Sequence, residues 1–173
     1  AILTRVAKSH IRIGTVQFFA MTRQGKGLKE LVSYVTQRHY RAALQKAQAL
    51  DPQTTHAQVL LNEVTRALAN LVAHWQSLGF IHGVLNTDNM LLCGETVDYG
   101  PCAFMDTFAA GQVFSSIDTG GRYAFGNQPG IVHWNLSVVA QCLLPLIDED
   151  QEKAVEVAQK SVKQFPTLFT DIY

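Results

Sequence analysis

The sequence predicts a mainly helical protein with a small β component, an α+β fold in which helices dominate. Its clearest periodic segment is 60–78, where apolar residues recur every three or four positions, the spacing that gathers them on one face of an α-helix. Short apolar runs bounded by turn residues, the pattern of strands, are few. With 47% hydrophobic and 16% charged residues among 173, the chain can bury a packed core, which excludes a disordered protein.

The first fifty residues are predicted to contain a short strand and one helix. Residues 2–6 suit a strand by composition, whereas residues 9–20 follow neither the strand period nor the helix period. Apolar residues at helical spacing predict a helix over 28–40. The basic residues between Lys26 and Lys46 are interpreted as the polar face of a helix, because charges on a helix surface are usually solvated.

A turn and a long helix come next. The Asp-Pro pair at 51–52 favours a turn, and Thr54 or Thr55 is predicted to cap the helix that carries the 60–78 period. Gly79 is predicted to end that helix, because glycine readily adopts the left-handed conformation at a helix C-terminus.

The second half is predicted to hold a hairpin, a long loop and two helices. Two short apolar runs, 90–93 and 96–97, are separated by a Gly-Glu pair and therefore predict a hairpin. A loop rich in glycine and aromatic residues covers 109–129. Helical spacing of apolar residues predicts helices over 131–147 and 150–165.

The charge of the chain excludes one class of partner. Its 14 basic and 14 acidic residues give a net charge of zero, which argues against a protein that coats nucleic acid. The charges are nevertheless divided along the chain. Residues 1–46 carry nine basic residues and a single acidic one, Glu30, and the remainder carries five basic and thirteen acidic residues.

The cysteines and the hydropathy of the chain predict its compartment. Three cysteines without C-x-x-C spacing are a poor disulfide framework and favour a reducing compartment. No uninterrupted apolar stretch reaches about 18 residues, so no membrane span or membrane partner is expected, and no signal peptide is recognised. We expect the cytoplasm of a bacterium, or the mitochondrion in a eukaryote.

A polar loop and the residue after the hairpin supply the side chains most suited to chemistry. The loop offers His82, Asn86, Asp88 and Asn89. Nine residues separate Asn89 from Asp98, enough for a short hairpin to bring the two side chains to one end. An amide oxygen beside a carboxylate favours Mg²⁺ or Mn²⁺ over zinc, and such a metal bridges substrate phosphates.

The order of these parts is that of a protein kinase, which has an H-R-D-x-x-x-x-N loop, a hairpin and then D-F-G. His82 and Asn89 keep the seven-residue spacing, and Asp98 begins a D-Y-G tripeptide in place of D-F-G. Val84 occupies the position of the kinase catalytic aspartate and cannot accept a proton, whereas Asp88 directly precedes the asparagine. Both metal positions therefore survive, and the base position differs.

Several ordered motifs together resemble the selenoprotein O family. They are Arg5-Val-Ala, Ser9-His-Ile-Arg12, His82-Gly-Val-Leu-Asn-Thr-Asp-Asn-Met90, Val97-Asp-Tyr-Gly-Pro101, Gly121-Arg-Tyr-Ala-Phe-Gly-Asn-Gln-Pro129 and Trp134-Asn-Leu136. The resemblance runs from the first residues to about Ile147. It implies a protein-kinase-like fold and a known activity that transfers AMP, rather than phosphate, from ATP to protein hydroxyls.

The resemblance also implies roles for five side chains. Asp88 is the implied proton acceptor, and Asn89 and Asp98 are the implied ligands of Mg²⁺ or Mn²⁺, with Asp98 also at the nucleotide. Arg5 and Arg12, seven residues apart as in the family, are implied nucleotide contacts. The implied partners are ATP and proteins with acceptor Ser, Thr or Tyr hydroxyls.

We expect residues 1–173 to form a kinase-like C-lobe segment of such a protein. The family also carries an N-lobe with a Gly-rich nucleotide loop, a phosphate-pairing lysine and its acidic partner, and none of these can be placed in this sequence. The chain is therefore expected to be part of something longer and to have little transferase activity alone.

Other interpretations stay open at this point. The same metal positions would serve a kinase-like phosphotransferase, and a non-catalytic pseudokinase interaction module would keep Asn89 and Asp98 only as vestiges. His82 is expected to brace the loop by hydrogen bonding. Trp75 and Trp134 are expected to lie in the core, because large aromatic side chains usually dominate core packing.

Overall fold

Seven α-helices account for most of the chain in the computed structural model, which describes Ile2 and residues 4–173. The helices are α1 Ile13–Met21, α2 Gly25–His39, α3 Arg41–Leu50, α4 His56–Leu78, α5 Gln128–Ile147, α6 Gln151–Val162 and α7 Phe165–Ile172. Two short strands, β1 Phe80–Ile81 and β2 Ala103–Phe104, pair antiparallel. The prediction of a mainly helical protein is confirmed.

The long predicted helix is α4, and both of its ends form as the sequence predicts. Thr55 is the N-cap: its hydroxyl accepts a hydrogen bond from the Gln58 N–H at 3.2 Å, and the Gln58 side chain accepts one from the Thr55 N–H at 2.8 Å. Gly79 ends the helix in the left-handed conformation, with φ 68°. The caps fix where the helix begins and ends, and so where the following loop starts.

α4 is the central helix of the core, since it packs against α2, α5, α6 and α7. Eleven of its 23 residues are buried, so its apolar face extends along its whole length. Each fully buried Leu or Val side chain contributes about 1.5–3 kcal/mol relative to an exposed one. Burial of this face is therefore a major contribution to the stability of the fold.

One helical stretch among the described residues, Phe125–Ile147, is long and apolar enough to cross a membrane by length and composition. A single stretch of this kind is weak grounds for a membrane span. Its α-helical part, α5, packs against α1, α4 and α6. The absence of a membrane partner stays a prediction.

The N-terminal part of the chain departs from the predictions. No strand forms among the described residues of 2–6, and Leu3 lies outside the described residues. Most of 9–20, which follows no clear period, forms α1. The basic residues from Lys26 to Lys46 lie on two helices, because α3 follows α2 directly. α3 buries only Leu44 of its ten residues, so little of it belongs to the core.

The last predicted helix, 150–165, is two helices. Asp150 caps α6 by accepting hydrogen bonds from the Glu152 and Lys153 N–H groups. The helix ends at Val162, and α7 begins at Phe165. Pro166 then lies in the first turn of α7, where its missing N–H is not needed; a proline in a helix interior would break the backbone ladder.

Of the two tryptophans expected in the core, only Trp75 lies there. It is 9% exposed, and its ring lies 5.2 Å from the Phe80 ring, centroid to centroid. The prediction for Trp134 is wrong, because that side chain is 50% exposed and carries the Arg122 guanidinium over its face at 5.0 Å.

The left-handed end of α4 gives a test of the fold. Gly79→Ala should lower the free energy of unfolding by about 1 kcal/mol, because an L-residue is strained at positive φ. Gly130→Ala is the matched control, since Gly130 is a helical glycine of α5 with open space around its Cα. That change should raise the free energy of unfolding by about 0.5–1 kcal/mol. Urea denaturation measures both, and equal effects would contradict the role of Gly79.

Candidate active site

Three short backbone segments meet where the candidate active-site residues lie. The Ile13 N–H donates to the Met90 carbonyl at 2.9 Å, and the Leu92 N–H donates to the Ile11 carbonyl at 2.9 Å, so Arg12 pairs with Leu91. On the other side, the Leu91 N–H donates to the Glu95 carbonyl at 2.9 Å. Residues 90–91 are thus the middle of a small three-stranded arrangement.

The predicted hairpin forms with less strand pairing than the sequence suggests. Met90 and Thr96 form one antiparallel bridge rather than a ladder, and the Val97 N–H donates to the Asn89 carbonyl at 3.1 Å. That bond lies beside the bridge and holds the residue before Asp98 against Asn89. The short pairing therefore brings the end of the loop and the D-Y-G tripeptide together.

The amide of Asn89 lies beside the carboxylate of Asp98. Asn89 is 7% exposed, and its Nδ2 donates to the Val84 carbonyl at 2.8 Å and to Asp98 Oδ2 at 3.3 Å. Because these two bonds use both hydrogens of the amide, its carbonyl oxygen Oδ1 is the atom left to bind a cation. Asp98 has φ 64°, a conformation that aspartate tolerates better than most residues.

This pair fits a hard divalent cation. Among the described residues no cluster of three or more His, Cys, Asp or Glu side chains is arranged to hold a metal, so a closed all-protein site is not formed there. Mg²⁺ commonly binds through one or two protein oxygens and completes its shell with water and phosphate. The role of Asn89 and Asp98 as metal ligands, and of Asp98 at the nucleotide, stays a prediction.

Asp88, the predicted proton acceptor, lies against the first turn of α1. A Cβ built on Gly14 would be 2.2 Å from Asp88 Oδ1, so only glycine leaves room for the carboxylate in this position. The Gly14 N–H donates to the Thr87 carbonyl at 2.9 Å, which ties the loop to the helix. The partial positive charge of a helix N-terminus favours a carboxylate there. Asp88 is exposed to solvent, as a group that must meet a substrate should be.

The two predicted nucleotide contacts, Arg5 and Arg12, lie on either side of the small three-stranded arrangement. Arg5 Nη2 lies 3.6 Å from a carboxylate oxygen of Glu95 and 3.4 Å from the Thr96 carbonyl, and its guanidinium lies 5.6 Å from the Tyr99 ring centroid. Arg12 is exposed at the N-cap of α1. Arg5 thus contacts Thr96, two residues before Asp98, and Arg12 pairs with Leu91, two residues after Asn89. Contact of either arginine with nucleotide stays a prediction.

His82 braces the loop, as expected. It is fully buried, and its Nε2 lies 2.9 Å from the Val97 carbonyl, which requires Nε2 to carry the proton. Nδ1 is then an acceptor for the Val84 N–H at 3.3 Å. Burial lowers the pKa of His82, and the Val97 carbonyl and the charge of Asp98 oppose that change only in part. The neutral imidazole thereby joins the loop to the residue before Asp98.

Two residues that contact this loop were missed by the sequence reasoning. Gln128 bonds to the backbone at Phe80 and His82, and Asn135 bonds to Leu85 and Met90. Both lie inside motifs that carry the family resemblance. The available signal was an amide side chain within a long apolar stretch, 125–147, where a polar group needs a buried partner.

Comparison with known proteins identifies the family of the chain. A family model described as protein adenylyltransferase SelO matches residues 1–173. The chain belongs to this family. It is 51% identical over 173 residues to a protein nucleotidyltransferase YdiU of Anoxybacillus flavithermus, with 98% of the chain and 34% of the relative covered. It is 52% identical to the protein of that name from Bradyrhizobium diazoefficiens, with 100% of the chain and 34% of the relative covered.

The chain spans about a third of the length of these curated relatives. Family membership confirms the resemblance seen in the motifs, and the transferase and nucleotidyltransferase descriptions belong to the family and its named members. The site residues of this chain are not assigned by these comparisons. Their roles are therefore argued from the geometry.

The buried imidazole predicts a pH dependence of stability. The pKa of His82 is lowered from 6.5 in the folded protein, so below about pH 6.5 the unfolded state binds more protons than the folded state. The free energy of unfolding should therefore fall as the pH decreases from 6.5 toward the folded pKa. His82→Gln should reduce this slope, and His74→Gln, at an exposed position of α4, should keep it.

Urea denaturation at a series of pH values measures these slopes. Comparing slopes rather than absolute stabilities separates the titration of His82 from the loss of its hydrogen bonds. His39 also has a lowered pKa, because it is partly buried and lies near Arg38 and Lys8, so part of the slope remains in both variants. Identical slopes for the native protein and His82→Gln would show that His82 does not titrate as proposed.

Proposed function

We propose that this chain forms the metal-binding and catalytic part of a Mg²⁺-dependent protein adenylyltransferase. The enzyme would transfer AMP from ATP to Ser, Thr or Tyr hydroxyls of other proteins. One observation carries the proposal: Asn89 Nδ2 and Asp98 Oδ2 lie 3.3 Å apart in a chain of the adenylyltransferase family. Asp88 directly precedes Asn89 in the sequence. The activity, substrates and partners of the whole protein are part of this proposal.

Asn89 and Asp98 would hold the cation through an amide oxygen and a carboxylate. Mg²⁺ held by these two side chains would supply positive charge that offsets the negative charge developing in the transition state. Asn89 is suited to this because the hydrogen bond from its Nδ2 to the Val84 carbonyl fixes the direction in which Oδ1 faces. Mn²⁺ has similar ligand preferences and is the alternative cation.

Asp88 would accept the proton of the acceptor hydroxyl. The hydroxyl oxygen then forms a bond to the α-phosphorus of ATP, the bond from that phosphorus to the bridging oxygen breaks, and pyrophosphate leaves. General-base help of this kind contributes roughly 10²–10⁴-fold to a rate. Arg5 and Arg12 would bind phosphate oxygens, since guanidinium groups match them with two parallel hydrogen bonds.

Arg5 must exchange its present partners to bind phosphate. In the structure its guanidinium contacts Glu95 and the Thr96 carbonyl. Its side chain is 43% exposed, and an exposed ion pair of this kind contributes about 0–1 kcal/mol. Exchange of Glu95 for a triphosphate is therefore energetically accessible.

We also propose that the fold corresponds to a kinase-like C-lobe. The support is the order of parts: α4, the loop with His82 and Asn89, the hairpin, the D-Y-G tripeptide, a long segment, and then α5. In a kinase the nucleotide is also held by a Gly-rich loop and a lysine of another lobe. Those groups would be supplied from outside residues 1–173. The cellular location, cytoplasmic or mitochondrial, stays a prediction.

Label transfer from ATP tests the proposed reaction. The protein, extended to the length of its curated relatives, should retain label from the α-phosphate on an acceptor protein, and residues 1–173 alone should show little transfer. Asp98→Asn should lower transfer at least 100-fold, because the amide keeps the shape but loses the charge that binds the cation. Retention of γ-label would instead favour a phosphotransferase, and no label from either position would favour a non-catalytic module.

The close approach of Gly14 to Asp88 gives an independent test. Gly14→Ala should displace the Asp88 carboxylate, because the new Cβ would be 2.2 Å from Oδ1. We expect at least a tenfold loss of AMP transfer with no loss of melting temperature, since a flexible side chain moves easily and alanine favours a helix.

Gly130→Ala is the matched control, a first-turn glycine in another helix with open space at its Cα. It should leave AMP transfer unchanged. Unaltered transfer in Gly14→Ala would argue that the observed position of Asp88 does not matter for the reaction.

A further inference from the structure

Two polar side chains of α5 are buried against the segment that leads into the candidate active site. Gln128 and Asn135 are both 0% exposed, and they lie seven residues apart, about two helical turns, on one face of the helix. The helix is otherwise strongly apolar, so a buried amide there is costly unless it is hydrogen-bonded. Both polar atoms of the Gln128 amide, and the Nδ2 of Asn135, find their partners in residues 80–90, whereas Asn135 Oδ1 is buried without a partner among the described residues.

Gln128 fixes the start of this segment through two backbone bonds. Its Oε1 accepts from the His82 N–H at 2.9 Å, and its Nε2 donates to the Phe80 carbonyl at 2.9 Å. One donor and one acceptor on alternate residues reproduce what a neighbouring β-strand would provide. Because the His82 imidazole binds the Val84 N–H and the Val97 carbonyl, Gln128 acts through His82 on both sides of the site.

Asn135 holds the residues on either side of the four-residue stretch 86–89. Its Nδ2 lies 2.8 Å from the Leu85 carbonyl and 2.9 Å from the Met90 sulfur. Leu85 and Met90 are themselves 0% exposed, so they are firmly packed. The chain between them, 86–89, carries the candidate base and one candidate metal ligand.

We propose that Gln128 and Asn135 are positioning residues for AMP transfer, an inference that rests on the proposed function. Neither amide bonds to Asp88, Asn89 or Asp98; each acts on the backbone that carries them. Catalytic groups must be held within about 0.5 Å of their productive positions, and a shift of about 1 Å can cost about 100-fold in rate. A rigid helix is a better support for such precision than a loop.

Gln128→Met and Asn135→Leu test this, because each replaces an amide by an apolar group of similar shape. The matched control is Val139→Ala, which removes packing at a fully buried position one turn beyond Asn135 on the same helix. Melting temperatures identify the variants that are equally destabilised. AMP transfer by the protein extended to the length of its curated relatives is then measured as kcat, as KM for ATP and as the Mg²⁺ concentration that gives half-maximal rate.

We expect each amide variant to lower kcat at least tenfold and to raise the half-saturating Mg²⁺ concentration at least fivefold. Val139→Ala should leave both within about twofold, because a loss of packing alone does not move the metal ligands. Where Asn135→Leu does not fold, Asn135→Ser replaces it, since its shorter hydroxyl does not span both Leu85 and Met90. Equal kinetics in the amide variants and the control would overturn the proposal.

The proposed function can fail separately from the positioning role. If the native protein transfers no AMP, the proposed function is wrong, and Mn²⁺ binding in the presence of ATP is followed instead by electron paramagnetic resonance. Binding at least fivefold weaker in the amide variants than in Val139→Ala supports the positioning role. Equal affinity overturns it.

Discussion

The packing of α4 against α5 is the interaction on which the candidate site depends. Fully buried residues of α4, including Leu61 and Leu68, and of α5, including Leu136 and Leu143, belong to one core cluster. The chain leaves α4 at Gly79 and enters the site segment at once, and α5 supplies the two amides that hold that segment. The burial of apolar surface thus sets where the polar chemistry lies.

The site is held mainly by hydrogen bonds between side chains and backbone rather than by ion pairs. His82, Gln128 and Asn135 are buried and bond to backbone groups of the loop, where a hydrogen bond is stronger than in water. The charged candidates, Asp88 and Asp98, are exposed and face solvent. A rigid buried frame with exposed charged groups suits a site that must admit a triphosphate and a protein hydroxyl.

Much of the fold could be predicted because its signals lie within single segments. The apolar period and both caps of α4 are local, and so is the hairpin that brings Asn89 to Asp98. The missed elements have weak local signals: α3 buries one residue, and β1 and β2 have two residues each. The break before α7 is followed by Pro166, whose preference for a first helical turn opposes one continuous helix over 150–165.

The sequence by itself determined the helical class, the order of the loop, hairpin and D-Y-G parts, and the family to which the chain belongs. Only the tertiary structure decided which distant groups meet. Gln128 lies 46 residues from His82, Asn135 lies 50 residues from Leu85, and Gly14 approaches Asp88 from another helix. A periodic pattern records which face of a segment is buried and carries no information about the partner. That information arises only when α1, α4 and α5 pack together around the loop.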